Sequence, residues 1–165
     1  MLTLLEAARW APSAYNLQPW RFAVFEKSAD GDAFERAFST LVPFNQSWNA
    51  NAQVLIAVLA DTLTSKGTPN PTASYDAGAA GMALLLQAHA LGFAAHAMSG
   101  LDVAALRASF EIAERYAVLS IISVAHHGDA VSLPADLAER ERAPRTRLPI
   151  DDVVGFGRCI ESVRQ

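Results

Sequence analysis

Apolar positions along this chain recur in two alternating rhythms, one near every third or fourth residue and one in short continuous runs. The first rhythm predicts helices over Met1–Arg9, carrying Leu4, Leu5 and Ala8, and over Asp32–Leu41, with Phe34, Ala37, Phe38 and Leu41 on one face. The second predicts strands. Arg21–Glu26 is rich in β-favouring residues, and Gln53–Ala60 holds the unbroken run Val-Leu-Ile-Ala-Val-Leu expected of a central strand buried on both faces. Lys66-Gly67 and Pro69-Asn70-Pro71 make Thr62–Thr72 a surface loop. A long helix follows over Tyr75–Leu91, stopped by Gly92, then a short strand, Phe93–Met98. Asp102 is placed to cap a helix over Val103–Phe110, ahead of an apolar strand over Tyr116–Ala125 and a last helix over Pro134–Glu141. The Arg-rich Arg142–Pro149 leads into an extended tail. There is no repeat and no linker. This order predicts one α+β domain over residues 1–165, a mixed central sheet covered by helices.

Composition changes this picture in one place. The Tyr75–Leu91 helix is apolar nearly all round and, with Gly78, Gly81 and several alanines, smooth on one face. In a chain of 165 residues that is 52% hydrophobic, such a helix is expected to be covered by the fold, by a partner, or by both. A net charge of −4 argues against nucleic acid as partner, and the single cysteine, Cys159, excludes an internal disulfide. The start of the chain does not read as a signal peptide and the long helix is too short and polar for a membrane span, so a cytoplasmic protein is expected.

The segment Ala7–Trp20 concentrates the chemistry: two tryptophans, two prolines and the polar side chains of Ser13, Asn16 and Gln18. Pro12 is expected to end the first helix. Ser13 and Asn16 beside free backbone N–H groups would suit an anion or a polar ring edge, and Pro19 is expected to hold Gln18 extended with its amide aimed. Familiar alternatives are missing: no Gly-rich dinucleotide fingerprint, no phosphate loop, no serine elbow, and no metal-ligand spacing among His89, His96, His126 and His127. Cys159 reads as a passive buried thiol. Arg145 and Arg147 stand among four arginines in one short stretch, either as a phosphate clamp or as a solvated cluster balanced by nearby carboxylates. Asn45, in Phe44–Trp48, offers a donor and an acceptor for a heterocycle edge, or belongs to a polar turn. Ser99-Gly100 combines a hydroxyl with a site of close backbone approach, or forms an ordinary strand-to-helix turn.

Together these segments resemble the nitroreductase family. The match runs through Pro12-Ser13-x-x-Asn16-x-Gln18-Pro19-Trp20, then Tyr75–Ala80 through His89–Gly92, Ser99–Asp102, and Arg145-x-Arg147-Leu148-Pro149. Four matches in the right order cover nearly the whole chain. The resemblance implies a homodimer with two FMN sites, each built from both subunits. Pro12, Ser13, Ala14 and Asn16 would contact flavin held mainly by the other protomer, with Gln18 in the same motif. Asn45 would face the polar edge of the ring, Ser99 and Gly100 its N5 side, and Arg145 and Arg147 the phosphate.

It also implies a two-step exchange: NAD(P)H gives hydride to the flavin and leaves, and a nitroaromatic, quinone or similar small acceptor is then reduced in the same slot. No catalytic side chain and no metal is called for, because the chemistry resides in the flavin. The family normally begins with an Arg-Arg-Ser-x-Arg-like segment, whereas Met1 here falls inside the following helix. Weakened flavin binding is therefore one expectation, and a non-catalytic or flavin-depleted dimer of the same fold is the alternative function. Ala125–Gly128 also departs from the family pattern. A member with a dedicated substrate would need a lid, for which Thr62–Thr72 is the candidate.

Overall fold

The computed structural model describes residues 1–157 and Cys159. Two compact units divide the chain, Met1–Gly128 and Asp129–Gln165.

The first unit is built on four strands: β1 (Trp20–Glu26), β2 (Val54–Asp61), β3 (Phe93–Met98) and β4 (Tyr116–His126). Their order in the sheet is β1-β2-β4-β3. Every residue of β2 is buried, as its unbroken apolar run requires of a strand covered on both faces. Its side chains point alternately to two helical layers. Val54, Ile56, Val58 and Ala60 pack with α1 (Leu2–Arg9) and α4 (Ala73–Ala90), through Leu4, Ala8, Ala77, Ala80, Leu84 and Ala88. Leu55, Ala57 and Leu59 pack with α2 (Gly31–Ser39) and α5 (Val103–Phe110), through Phe34, Ala37 and Leu106.

The sheet is antiparallel in all three pairings, where a mixed sheet was expected. The physical reason lies in β4. The β2-α4-β3 segment is a helical crossover, and β2 and β3 do run the same way, since each is antiparallel to β4. They would make a parallel pair if adjacent; β4 lies between them and turns both contacts antiparallel.

Local signals set most boundaries. The Asp30 and Asp102 side chains cap α2 and α5, accepting from the N–H groups of Ala33 and Ala105 at 2.9 Å each. Gly92, at φ +79°, closes α4 in the left-handed position that glycine adopts without penalty. Phe44–Trp48, read as a polar segment, is instead helical: α3 spans Pro43–Asn49, with Pro43 in the first turn where no N–H is needed.

The second unit contains a 3-10 turn at Ala130–Ser132, α6 (Ala135–Arg142), irregular chain over 144–149 and another 3-10 turn at Ile150–Asp152. Arg145 and Arg147 are exposed in its irregular stretch. Cys159 is exposed, not buried as expected; it falls beyond the last turn, outside any helix or strand that would cover it. No helix among the described residues is long and apolar enough to cross a membrane.

Candidate functional site

The segment between α1 and β1 folds into a tight loop whose backbone departs from expectation. Tyr15, Asn16 and Gln18 have φ of 52°, 55° and 47°, three left-handed non-glycine residues within four positions. Each costs about 1–2 kcal/mol, least for Asn, so the surroundings must impose them. Gln18 was expected to be extended ahead of Pro19. Three hydrogen bonds override that preference: its N–H donates to Ser13 Oγ at 3.0 Å, its side-chain amide to Asn16 O at 3.1 Å, and its carbonyl accepts from Arg21 at 2.9 Å.

Several of the N–H groups around Ser13 and Asn16 are taken within the protein. The turn closes on itself: Asn16 N–H donates to Ser13 O and Leu17 N–H to Ala14 O. The Ala14 N–H donates to Asp76 Oδ2 at 3.1 Å, across 62 positions of sequence. Asp76 is 4% exposed and also accepts from the Thr72 hydroxyl at 3.0 Å. Sequence reasoning counted Asp76 only as part of the helical motif. Its signal, a lone acidic residue at the start of an otherwise apolar helix, was visible.

Beneath the loop, Pro19 O accepts from Asp61 N–H at 2.8 Å. Asp61 ends β2 and is gripped by Arg115, whose Nε and terminal nitrogen donate to its two oxygens at 3.0 and 2.6 Å. Burial alone would raise this carboxyl; Arg115, the Leu63 N–H and Arg21 together hold it below the usual carboxylate range. A cleft of about 330 Å³ beside the loop is walled in part by Asn16, Pro19, Arg21, Asp61 and Arg115. The lid candidate Thr62–Thr72 is a closed turn, with Thr64 N–H donating to Thr68 O and Asn70 N–H to Thr62 O.

The structure brings a second group of candidates together from distant segments. Asn45, in α3, donates its amide to Gly100 O at 2.9 Å. Val42 N–H donates to the same carbonyl and Asp102 N–H to Thr40 O, so the α2–α3 junction is latched to the turn between β3 and α5. Gly100 is required there: a Cβ would stand 2.8 Å from Asn45 Nδ2 and 2.9 Å from Val42 Cγ2. Ser99 is exposed beside it.

These two groups do not meet within one chain. The Pro12–Gln18 loop adjoins edge strand β1 and is tied to α4; Ser99-Gly100 follows β3, the opposite edge, and packs with the α2 and α5 layer. Three strand spacings, roughly 14 Å, separate the two edges, and the groups belong to opposite faces. Arg145 and Arg147 lie in the second unit, where the Arg147 guanidinium donates to Thr146 O at 2.7 Å.

No cluster of metal-ligating side chains occurs among the described residues. The histidines are exposed on the surface, His96 edge-on to Trp48 and His126 tilted against Phe93.

Known proteins share this architecture. A solved oxidoreductase described as containing FMN is 40% identical, with a TM-score of 0.88, over 95% of this chain and 80% of the other. A Mycolicibacterium smegmatis protein, "Uncharacterized 15.4 kDa protein in ask 5'region", is 34% identical, covering 77% of this chain and 87% of the relative. The Bacillus subtilis (strain 168) protein named "Putative NAD(P)H nitroreductase YodC" is 28% identical, over 83% of this chain and 80% of its own length. The family model of the nitroreductases matches residues 1–126, which takes in the strained loop, Asp76, Asn45, Gly100 and the whole sheet. This chain belongs to the nitroreductase family.

Proposed function

We propose that the protein is an FMN-dependent oxidoreductase working as a homodimer, with each flavin site assembled from two protomers. The observation that carries this reading is the separation just described. The Pro12–Gln18 loop and the Asn45–Gly100 contact of one chain belong to opposite edges and faces of the sheet. A second copy can supply whichever group the first cannot. The surface for that copy is on α4, where Tyr75, Gly78, Met82 and Leu86 form an exposed, mostly apolar stripe opposite the buried face of the helix.

The residues fit the cofactor. Gly100 lets Asn45 and Val42 pack closely against the turn, which fixes the Asn45 amide there. Asn16 and Ser99 are exposed polar side chains that make no hydrogen bond among the described residues, as groups reserved for a ligand edge would be. Asn45 keeps its acceptor oxygen while its amide is fixed on Gly100. Arg145 and Arg147 are the cations for the phosphate, and Pro12, Ser13 and Ala14 give the loop its shape against the partner's flavin. Bound FMN supplies hydride uptake from NAD(P)H and release to a nitroaromatic, quinone or similar acceptor. The protein's part is to hold a flat slot, orient what stacks in it and keep water away. Two of the relatives, one described as containing FMN and one named for NAD(P)H, support the cofactor and reductant.

Titration with FMN, read by absorbance and sedimentation together, tests the reading. The expected result is one FMN per protomer on a stable dimer, with NAD(P)H oxidation coupled to acceptor reduction. Replacing both Arg145 and Arg147 with Ala should weaken binding about a hundredfold or more while leaving the fold intact. A chain that takes up no FMN, or binds it as a monomer, overturns the reading.

A further inference from the structure

We propose that Asp76 is a positioning residue: its buried carboxylate sets the left-handed shape of the Pro12–Pro19 loop and, through that shape, the affinity for flavin. The second clause rests on the functional reading above; the first rests on the fold alone.

The loop cannot keep its shape by local preference. Tyr15, Asn16 and Gln18 all occupy the left-handed region, and Tyr15 is 97% exposed, so no packing of its ring enforces this. The bonds that close the turn, Asn16 N–H to Ser13 O and Leu17 N–H to Ala14 O, lie within the loop and travel with it. Two side chains tie it to the rest of the unit: Arg21, from β1, takes Gln18 O, and Asp76, from α4, takes Ala14 N–H. Arg21 is half exposed on its side chain, whereas Asp76 is 4% exposed, so of these two side-chain ties the Asp76 one is less open to water; the buried Pro19 O, accepting from Asp61 N–H, anchors the far end of the loop through backbone.

Asp76 is itself well placed to stay fixed. Its N–H donates to Thr72 O in the first turn of α4, where a negative side chain is favoured by the unpaired N–H groups of the helix start. The Thr72 hydroxyl donates to the same oxygen that receives Ala14 N–H. Tyr75, one residue before Asp76, and Gly78, two after it, belong to the exposed stripe proposed as the subunit contact. One helix turn therefore joins the dimer surface to the loop offered to the partner's flavin.

Asp76→Ala and Asp76→Asn, made in the full chain, test this with three readouts: FMN dissociation constant, melting temperature and hydrogen exchange of the Ala14 amide. Asp76→Ala should weaken FMN about tenfold or more and speed Ala14 exchange. Asp76→Asn keeps an acceptor oxygen and should stay within about threefold of the parent. The melting temperature of the Ala variant should fall by only about 5 °C, with exchange in the β2 core unchanged. Parent-like FMN binding and parent-like Ala14 exchange in Asp76→Ala would overturn the proposal. So would exchange that speeds up throughout β2 and α4, the mark of a merely structural role. If the parent itself takes up no FMN, the functional reading falls alone, and Ala14 exchange in the flavin-free chain still decides whether Asp76 sets the loop.

Discussion

The two halves of the candidate site are built by opposite means. The Pro12–Pro19 loop is a strained backbone held by side chains: Ser13, Arg21 and Asp76 pin three residues in a conformation that none of them prefers. Around the Asn45–Gly100 contact the backbone is unstrained and latched mainly by backbone, through Val42 N–H to Gly100 O and Asp102 N–H to Thr40 O, with the Asn45 amide added on the same Gly100 carbonyl and one glycine marking the close approach. The first therefore depends on the identity of several side chains and the second mainly on the absence of one. A strained element can be shaped by a distant residue such as Asp76; a backbone latch answers only to what stands against it.

The largest effect should come from separating the halves. Leu86→Glu on the exposed face of α4 buries a charge in the proposed contact and should give a folded monomer with FMN binding weakened about a hundredfold or more. A complementation experiment sharpens the point. Asn16→Ala chains and Gly100→Val chains should each bind poorly as pure dimers. Mixed dimers should regain one working site in two, since one site then draws both intact halves. Mixtures that bind no better than their components would mean that each site lies within one chain.

Next in size is the support beneath the strained loop. Arg115→Met leaves the Asp61 carboxylate buried without its bidentate partner and should cost about 2 kcal/mol, allowing for the partial exposure of Arg115. The pH dependence follows from the depressed carboxyl. Because the folded value lies below the unfolded one, the contribution is fully present above the ordinary aspartate range and is lost as pH falls through the lowered value. In the variant, burial acts without Arg115, so the acid limb of the melting curve should move to higher pH. Melting temperature measured from pH 2 to 7, about the carboxylate range, checks both statements.

A smaller effect is expected at the latch. Gly100→Val puts a side chain where 2.8 Å separates an added Cβ from Asn45 Nδ2. The Asn45 amide can swing away, but the branched Val42 side chain, 2.9 Å from the added Cβ, must shift as well, so stability should fall measurably while FMN binding weakens about tenfold. Equal losses in melting temperature and affinity would place the damage in the fold. The smallest effect is a gain. Tyr15→Asn replaces an exposed ring with the residue type that best tolerates φ 52°, and should raise stability by about 0.5 kcal/mol. An unchanged or lower melting temperature would mean that the loop is not strained at Tyr15.

Local physics decided what the sequence could tell. β3 and α5 appear where the pattern predicts them, over Phe93–Met98 and Val103–Phe110, because a glycine stop and an aspartate cap act within a turn of the residues they govern. The apolar run of β2 announced a strand covered on both faces for the same reason. Asn45 and Gly100 were legible as separate candidates through their side-chain chemistry; that they touch, 55 positions apart, was not. α3 escaped notice because Phe44 and Trp48, four apart, are its only apolar pair at helical spacing, and its polar side chains answer to carbonyls at Leu41 and Phe44. Only the tertiary structure decided the antiparallel sheet, since strand order depends on which strand β4 slips between, a choice made by long-range pairing. It also decided the shape of the first loop. Proline's local rule asked Gln18 to be extended, and Ser13, Arg21 and Asn16 prevailed because three hydrogen bonds outweigh one steric preference. Asp76 shows the same limit: the sequence supplies the carboxylate, but the fold alone buries it against a backbone N–H 62 residues away.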